Sequence, residues 1–142
     1  MTRPNLRLTG AVFLALALAA CGGGGEVTAE DATTQACDAL AEAADSVATL
    51  AEGAAAGVET IREAGTELRD RVAEINEDVQ AALGSAEAEA VTTFIASQRA
   101  YRSTTSGAED QAGLDAVADE LDAAGADLQA RYEEAVTALG CG

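Results

Sequence analysis

Residues 37–82, CDALAEAADSVATLAEGAAAGVETIREAGTELRDRVAEINEDVQAA, decide the fold. Within them Cys37, Leu40, Ala44, Val47, Ala51, Ala54, Val58, Ile61, Gly65, Leu68, Val72, Ile75, Val79 and Ala82 recur every three or four residues. That spacing lays one apolar stripe along one face of an α-helix, and the heptad seam keeps its phase over 46 residues. Glu67 and Arg71 form an i,i+4 pair on the polar side. Gly53 to Gly57 is the ambiguous place, because two glycines and three alanines supply neither a capping residue nor a loss of phase. The unbroken seam favours one long first helix bent there over two separate helices.

Working outward, Thr28 is an N-cap, with Glu30 and Asp31 in the first turn where the helix dipole favours acid. Downstream, Gly84-Ser85 stops the run and caps the next helix, whose apolar face carries Val91, Phe94, Ile95 and Tyr101. Thr104-Thr105-Ser106-Gly107 breaks the chain again, and Ser106 with Glu109 reads as a capping box. The last helix carries Leu114, Val117, Leu121, Ala124 and Leu128, then Tyr132, Val136 and Leu139, with Gly140 as its C-terminal cap. Composition agrees with helix throughout. Alanine is about a quarter of the chain, aromatics are 3%, and the one proline is Pro4.

The first 20 residues are of another kind. Arg3 and Arg7 precede an apolar run from Leu8 to Ala20. As a helix that run reaches about 20 Å, short of the roughly 30 Å hydrocarbon slab, so it is a signal-peptide core and not a membrane span. Leu18-Ala19-Ala20-Cys21 closes it and resembles the lipobox of bacterial lipoproteins. The resemblance implies cleavage before Cys21 and diacylglycerol on its thiol, which anchors the protein at the extracytoplasmic face of a membrane. Residue 22 is not Asp, so the same likeness predicts no retention at an inner membrane. The expected organisation is a signal peptide over 1–20, the lipidated Cys21 and a Gly-rich tether over 21–28, and a helical domain over 29–141.

With Cys21 given to lipid, Cys37 and Cys141 remain as an even pair in an oxidising compartment, which predicts a disulfide. That bond constrains topology, because bridged Cα atoms lie under about 7 Å apart. Cys37 opens the first helix and Cys141 follows the last, so the chain must cross the long axis an even number of times. The expected fold is all-α: an antiparallel helical hairpin or an up-down bundle of three to four helices, its ends joined by the disulfide, with a simple three-helix bundle disfavoured. The layout from Cys37-Asp38-Ala39-Leu40 to Ala138-Leu139-Gly140-Cys141 is similar to that of small exported helical proteins of high-GC Gram-positive bacteria. It carries over no active site.

Loss of the leader leaves six arginines, and no lysine, against 25 acidic residues. Such a surface is repelled by phosphate backbones, so nucleic acid is not expected as a partner. The chain has no histidine, which removes Ser–His and Cys–His activation, the usual catalytic zinc ligands and the Glu-x-x-His motif of di-iron bundles. Asp115, Asp119 and Asp122 have helical spacing and lack the order of a calcium loop, while Glu59, Glu63, Glu67 and Glu74 read as a wet helix face. Neither an enzyme nor a cofactor or resident metal is expected. The expectation is a non-catalytic envelope lipoprotein that binds another envelope protein or acts as a spacer. The alternative is a surface protein that binds divalent cations through its acidic faces.

Overall fold

A computed structural model describes residues 25–142. The leader, Cys21 and the first part of the tether lie outside the described residues, and so does the expected lipidation.

Helix α1 spans Ala29–Ala51. Thr28 caps it as expected: its Oγ1 accepts from the Asp31 N–H at 3.1 Å and donates to Asp31 Oδ2 at 2.7 Å. The chain then turns through a short 3-10 segment, Gly53–Ala56, into α2, Val58–Glu74. Gly53 has φ 62° and Gly57 φ 86°, a left-handed conformation that disfavours a Cβ, so the two glycines allow the reversal. This corrects the long-helix reading of Gly53–Gly57. α1 and α2 are separate helices packed antiparallel, and Gln35 Nε2 near the start of α1 donates to Glu74 O at the end of α2.

A second interruption falls at Ile75-Asn76, where the seam signalled none. Asn76 caps a short α3, Glu77–Ala82, by accepting from the Val79 N–H at 3.0 Å. Helix α4, Ser85–Thr105, follows. The expected capping box does not form. Ser106 ends α4 and its Oγ donates to Ser103 O, while Asp110 caps a one-turn α5, Gln111–Asp115. Helix α6 runs over Ala118–Leu139 and ends at Gly140 in the left-handed C-cap conformation, as expected.

The four long helices form an up-down bundle with Cys37 bonded to Cys141, their Cα atoms 5.4 Å apart. Of the two expected topologies the four-helix bundle is the one adopted, and the long hairpin is not. Its order around the core is α2, α1, α6, α4. Each consecutive pair packs closely, whereas α2 and α4 meet only sparsely.

The core follows from this order. Because α1 faces both α2 and α6, its buried stripe is wider than one seam. Ala36, Ala39, Ala43 and Leu50 are buried along with Leu40 and Val47, while the expected Ala44 and Ala51 are only half-buried. Each buried leucine contributes roughly 1.5–3 kcal/mol relative to exposure. Alanine contributes little by itself but lets backbones approach closely. The same economy appears at Gly125, where an added Cβ would stand 2.8 Å from Leu50 O. The Tyr132 hydroxyl donates across to Leu40 O at 3.1 Å, and its ring meets Phe94 edge-on at 5.8 Å.

Candidate functional site

Where α2 and α4 diverge they leave a cleft in two lobes. The upper lobe, about 270 Å³, lies between the first half of α2 and the last turns of α4, with Ala108 and Leu114 behind it. The lower lobe, about 380 Å³, continues between the end of α2 and the middle of α4. Arg69 and Arg102 line both lobes, Arg62 lines the upper and Arg99 the lower. Four of the six arginines of the described residues are thus gathered along one opening of a strongly acidic domain.

Local sequence places them. Arg62 and Arg69 stand one heptad apart on α2, beside Gly65 and Thr66 and turned away from the Ile61, Ala64 and Leu68 face that packs into the core. Arg99 and Arg102 stand three apart on α4, next to the stripe of Val91, Phe94, Ile95 and Tyr101 that is buried as expected. Gly65 leaves the wall open, since a Cβ there would meet nothing within 4 Å. The top is tied shut by Arg62 Nη2 donating to Glu109 O at 3.5 Å and by the Val58 N–H donating to Gln111 Oε1 at 3.3 Å.

The four guanidiniums are compensated unequally. Arg62 pairs with Glu59 and Arg69 with its neighbour Asp70, both exposed pairs of the kind that contribute little. Arg99 and Arg102 have no acidic partner within 4 Å among the described residues. Two buried polar groups on the cleft wall also lack partners. Gln98 is 4% exposed with Nε2 unbonded, and Tyr101 is 2% exposed with its hydroxyl unbonded. Burial, helped by the negative charge of Asp122, pushes the Tyr101 hydroxyl up to about 12. It therefore remains a neutral donor at any physiological pH.

Of the residues singled out from the sequence, the structure brings together Cys37 and Cys141, at the end of the bundle where the chain enters through Val27 and Thr28. The upper lobe lies at the other end. The acids are dispersed among local tasks. Glu59 serves Arg62, Asp115 accepts from Gln111, and Asp122 accepts from the Ala54 N–H to pin the first turn onto α6. The expected Glu67–Arg71 ion pair is replaced by Arg71 bridging Glu42 of α1 and Glu74, which raise its pKa, with Glu67 only a weaker influence. Among the described residues no group of three or more His, Cys, Asp or Glu converges as a metal site, and no helix is long and apolar enough to cross a membrane.

The arginine cleft escaped the sequence reading. Each pair shares a helix face at legible spacing, but nothing local says that the two faces confront each other. Chemically, guanidinium attracts and orients anions and does not exchange protons in the working range, so the arrangement suits binding. Comparison with protein-family models, with curated proteins and with solved structures finds no match.

Proposed function

We propose that the protein is a membrane-anchored extracytoplasmic lipoprotein, held by lipid on Cys21, whose helical domain is a non-catalytic binding module working through the α2–α4 cleft. The observation that carries the binding role is the collection of four arginines along that opening in a domain whose remaining surface is acidic. The placement supports the anchoring too. The tether joins the bundle at the disulfide end, and α1, about 34 Å long at 1.5 Å per residue over 23 residues, puts the top of the upper lobe at the opposite end. A bundle standing off a membrane on a glycine tether would keep the top of that lobe clear of headgroups.

In cells, a photo-crosslinking residue at Thr66, exposed on the cleft wall, is expected to trap a defined partner or ligand. The same group at Glu133, exposed on α6, is expected to trap none. Equal trapping at both positions, or at neither, would remove the binding role. The anchor is tested separately. Cys21→Ser is expected to move the protein from the membrane fraction to the soluble one, and a variant that stays in the membrane fraction overturns lipidation at that residue.

A further inference from the structure

We infer that the α2–α4 cleft takes a small organic oxyanion, one carboxylate or phosphate group on a short uncharged organic body, with the charged head between Arg69 and Arg102 and the body in the upper lobe. The inference rests on the proposed binding role of the cleft and adds the chemistry of what is bound.

Three observations point the same way. Arg69 and Arg102 are the residues common to both lobes, so a head placed between them reaches donors from both helices. Arg102 has no acidic partner among the described residues, and the exposed pairing of Arg69 with Asp70 exchanges readily for a better-placed anion. Above them Val58 and Ile61 share the wall with the hydroxyls of Thr66, Thr105 and Ser106, the missing side chain of Gly65 leaves room, and Arg62 there is already held by Glu59 and Glu109 O, which suits a short uncharged body of mixed polarity. At about 270 Å³ the upper lobe sits just under the common range of small-molecule sites, about 300–1,000 Å³, which suits a small body and not a large one.

The surroundings exclude larger anions. Glu63, Glu67 and Asp70 stand on α2 beside the arginines, and Glu109 and Asp110 at the top of the cleft. A polyanion would have to lie along those acids as well as along the guanidiniums. A monoanion meets only the pair it needs. The acidic rim therefore acts as a filter on charge number, in addition to keeping the domain soluble.

The test uses the full-length lipidated protein in zwitterionic nanodiscs, with empty nanodiscs subtracted, read by ligand-observed saturation-transfer NMR and calorimetry at 0.15 M salt. Pentanoate and butyl phosphate are the two head-group arms, with butanol, butylammonium and inorganic phosphate as controls. Saturable binding of at least one anionic arm is expected, weakened at least tenfold by Arg102→Gln and by Arg69→Gln. Arg131→Gln, on a remote face of α6, is expected to change it less than twofold. Gly65→Leu, which fills the upper lobe, is expected to abolish binding of the organic anions, and circular dichroism checks its fold. Equal binding of butanol, full affinity in Arg102→Gln, or inorganic phosphate binding as tightly as butyl phosphate (an adventitious ion only) would each overturn the inference. Trapping of a protein from Thr66 with none of these anions bound would overturn it as well, while leaving the binding-module reading in place.

Discussion

Helix α4 has two neighbours, and it meets them in opposite ways. Against α6 it presents Phe94 and Val91, both fully buried, with Phe94 seated on the Tyr132 ring. Toward α2 it presents Arg99 and Arg102, and α2 answers with Arg62, Gly65 and Arg69. The first interface closes because apolar atoms and small residues let the backbones approach. The second stays sparse because long, exposed arginine side chains line it in place of apolar ones and Gly65 supplies nothing to fill the gap. One bundle thus holds a sealed seam for stability and an unsealed one for binding, and the contrast lies in side-chain chemistry with the backbone type unchanged.

Breaking the sealed side is expected to have the largest effect. Cys37→Ala with Cys141→Ala removes a link across a sequence separation of 104 residues, which constrains the unfolded chain by up to about 4–5 kcal/mol. Urea denaturation should report that loss, and a loss under about 1 kcal/mol would mean that packing alone closes the bundle. Leu128→Ala, at a fully buried position of α6, is expected to cost about 3 kcal/mol by the same measurement.

A matched pair of glycine substitutions sharpens the comparison. Gly125→Ala drives a methyl toward Leu50 O and Ala51 in the tight α1–α6 contact and is expected to destabilise by about 2 kcal/mol. Gly65→Ala, also in a helix but facing the open cleft, is expected to stabilise by up to about 1 kcal/mol, because the added methyl meets nothing and the helix gains propensity. Thermal unfolding of the two variants reads opposite signs if the seams differ as described. The same sign for both would show that the cleft is already closed.

Tyr101 stands where the two seams meet and gives an effect between those two in size. Its hydroxyl ionises near 10 in the unfolded chain and about 12 in the folded one, so burial disfavours the charged form. The unfolded state releases its proton first as pH rises. The contribution is therefore fully present below pH 10 and is lost between pH 10 and 12, by about 1–2 kcal/mol. Tyrosinate absorbance should show both tyrosines titrating above the free value, since burial raises Tyr132 as well, with Tyr101 pushed up to about 12. Tyr101→Phe should remove this pH dependence and leave stability at neutral pH unchanged or slightly raised, because it deletes a buried hydroxyl that has no partner.

What could be read in advance, and what could not, follows the range of the physics. Thr28, Gly140, the buried stripe of α4 and the pairing of Cys37 with Cys141 were legible because caps, periodicity and cysteine parity act through neighbours in the chain or through simple counting. The reversal at Gly53–Gly57 was masked. Apolar spacing records which residues face a core, and α1 and α2 face the same one, so the phase survives although the direction reverses. Ile75-Asn76 was masked for the same reason, even though Asn is a good capping residue. Ser106 and Glu109 matched a capping pattern, but Asp110 holds the competing N-cap of α5, accepting from the Gly113 N–H at 2.8 Å.

By itself the sequence determined an all-helical domain, its start and its end, and, on the expectation that Cys21 carries lipid, the joining of those ends by the two remaining thiols, since backbone propensity, capping and cysteine counting act locally. Only the tertiary structure decided that the chain reverses after α1, that α2 and α4 become sparsely packed neighbours, and that arginines 30 to 40 residues apart line one opening. The order of helices around a core depends on how all of their faces fit at once, a sum that no local stretch of sequence contains.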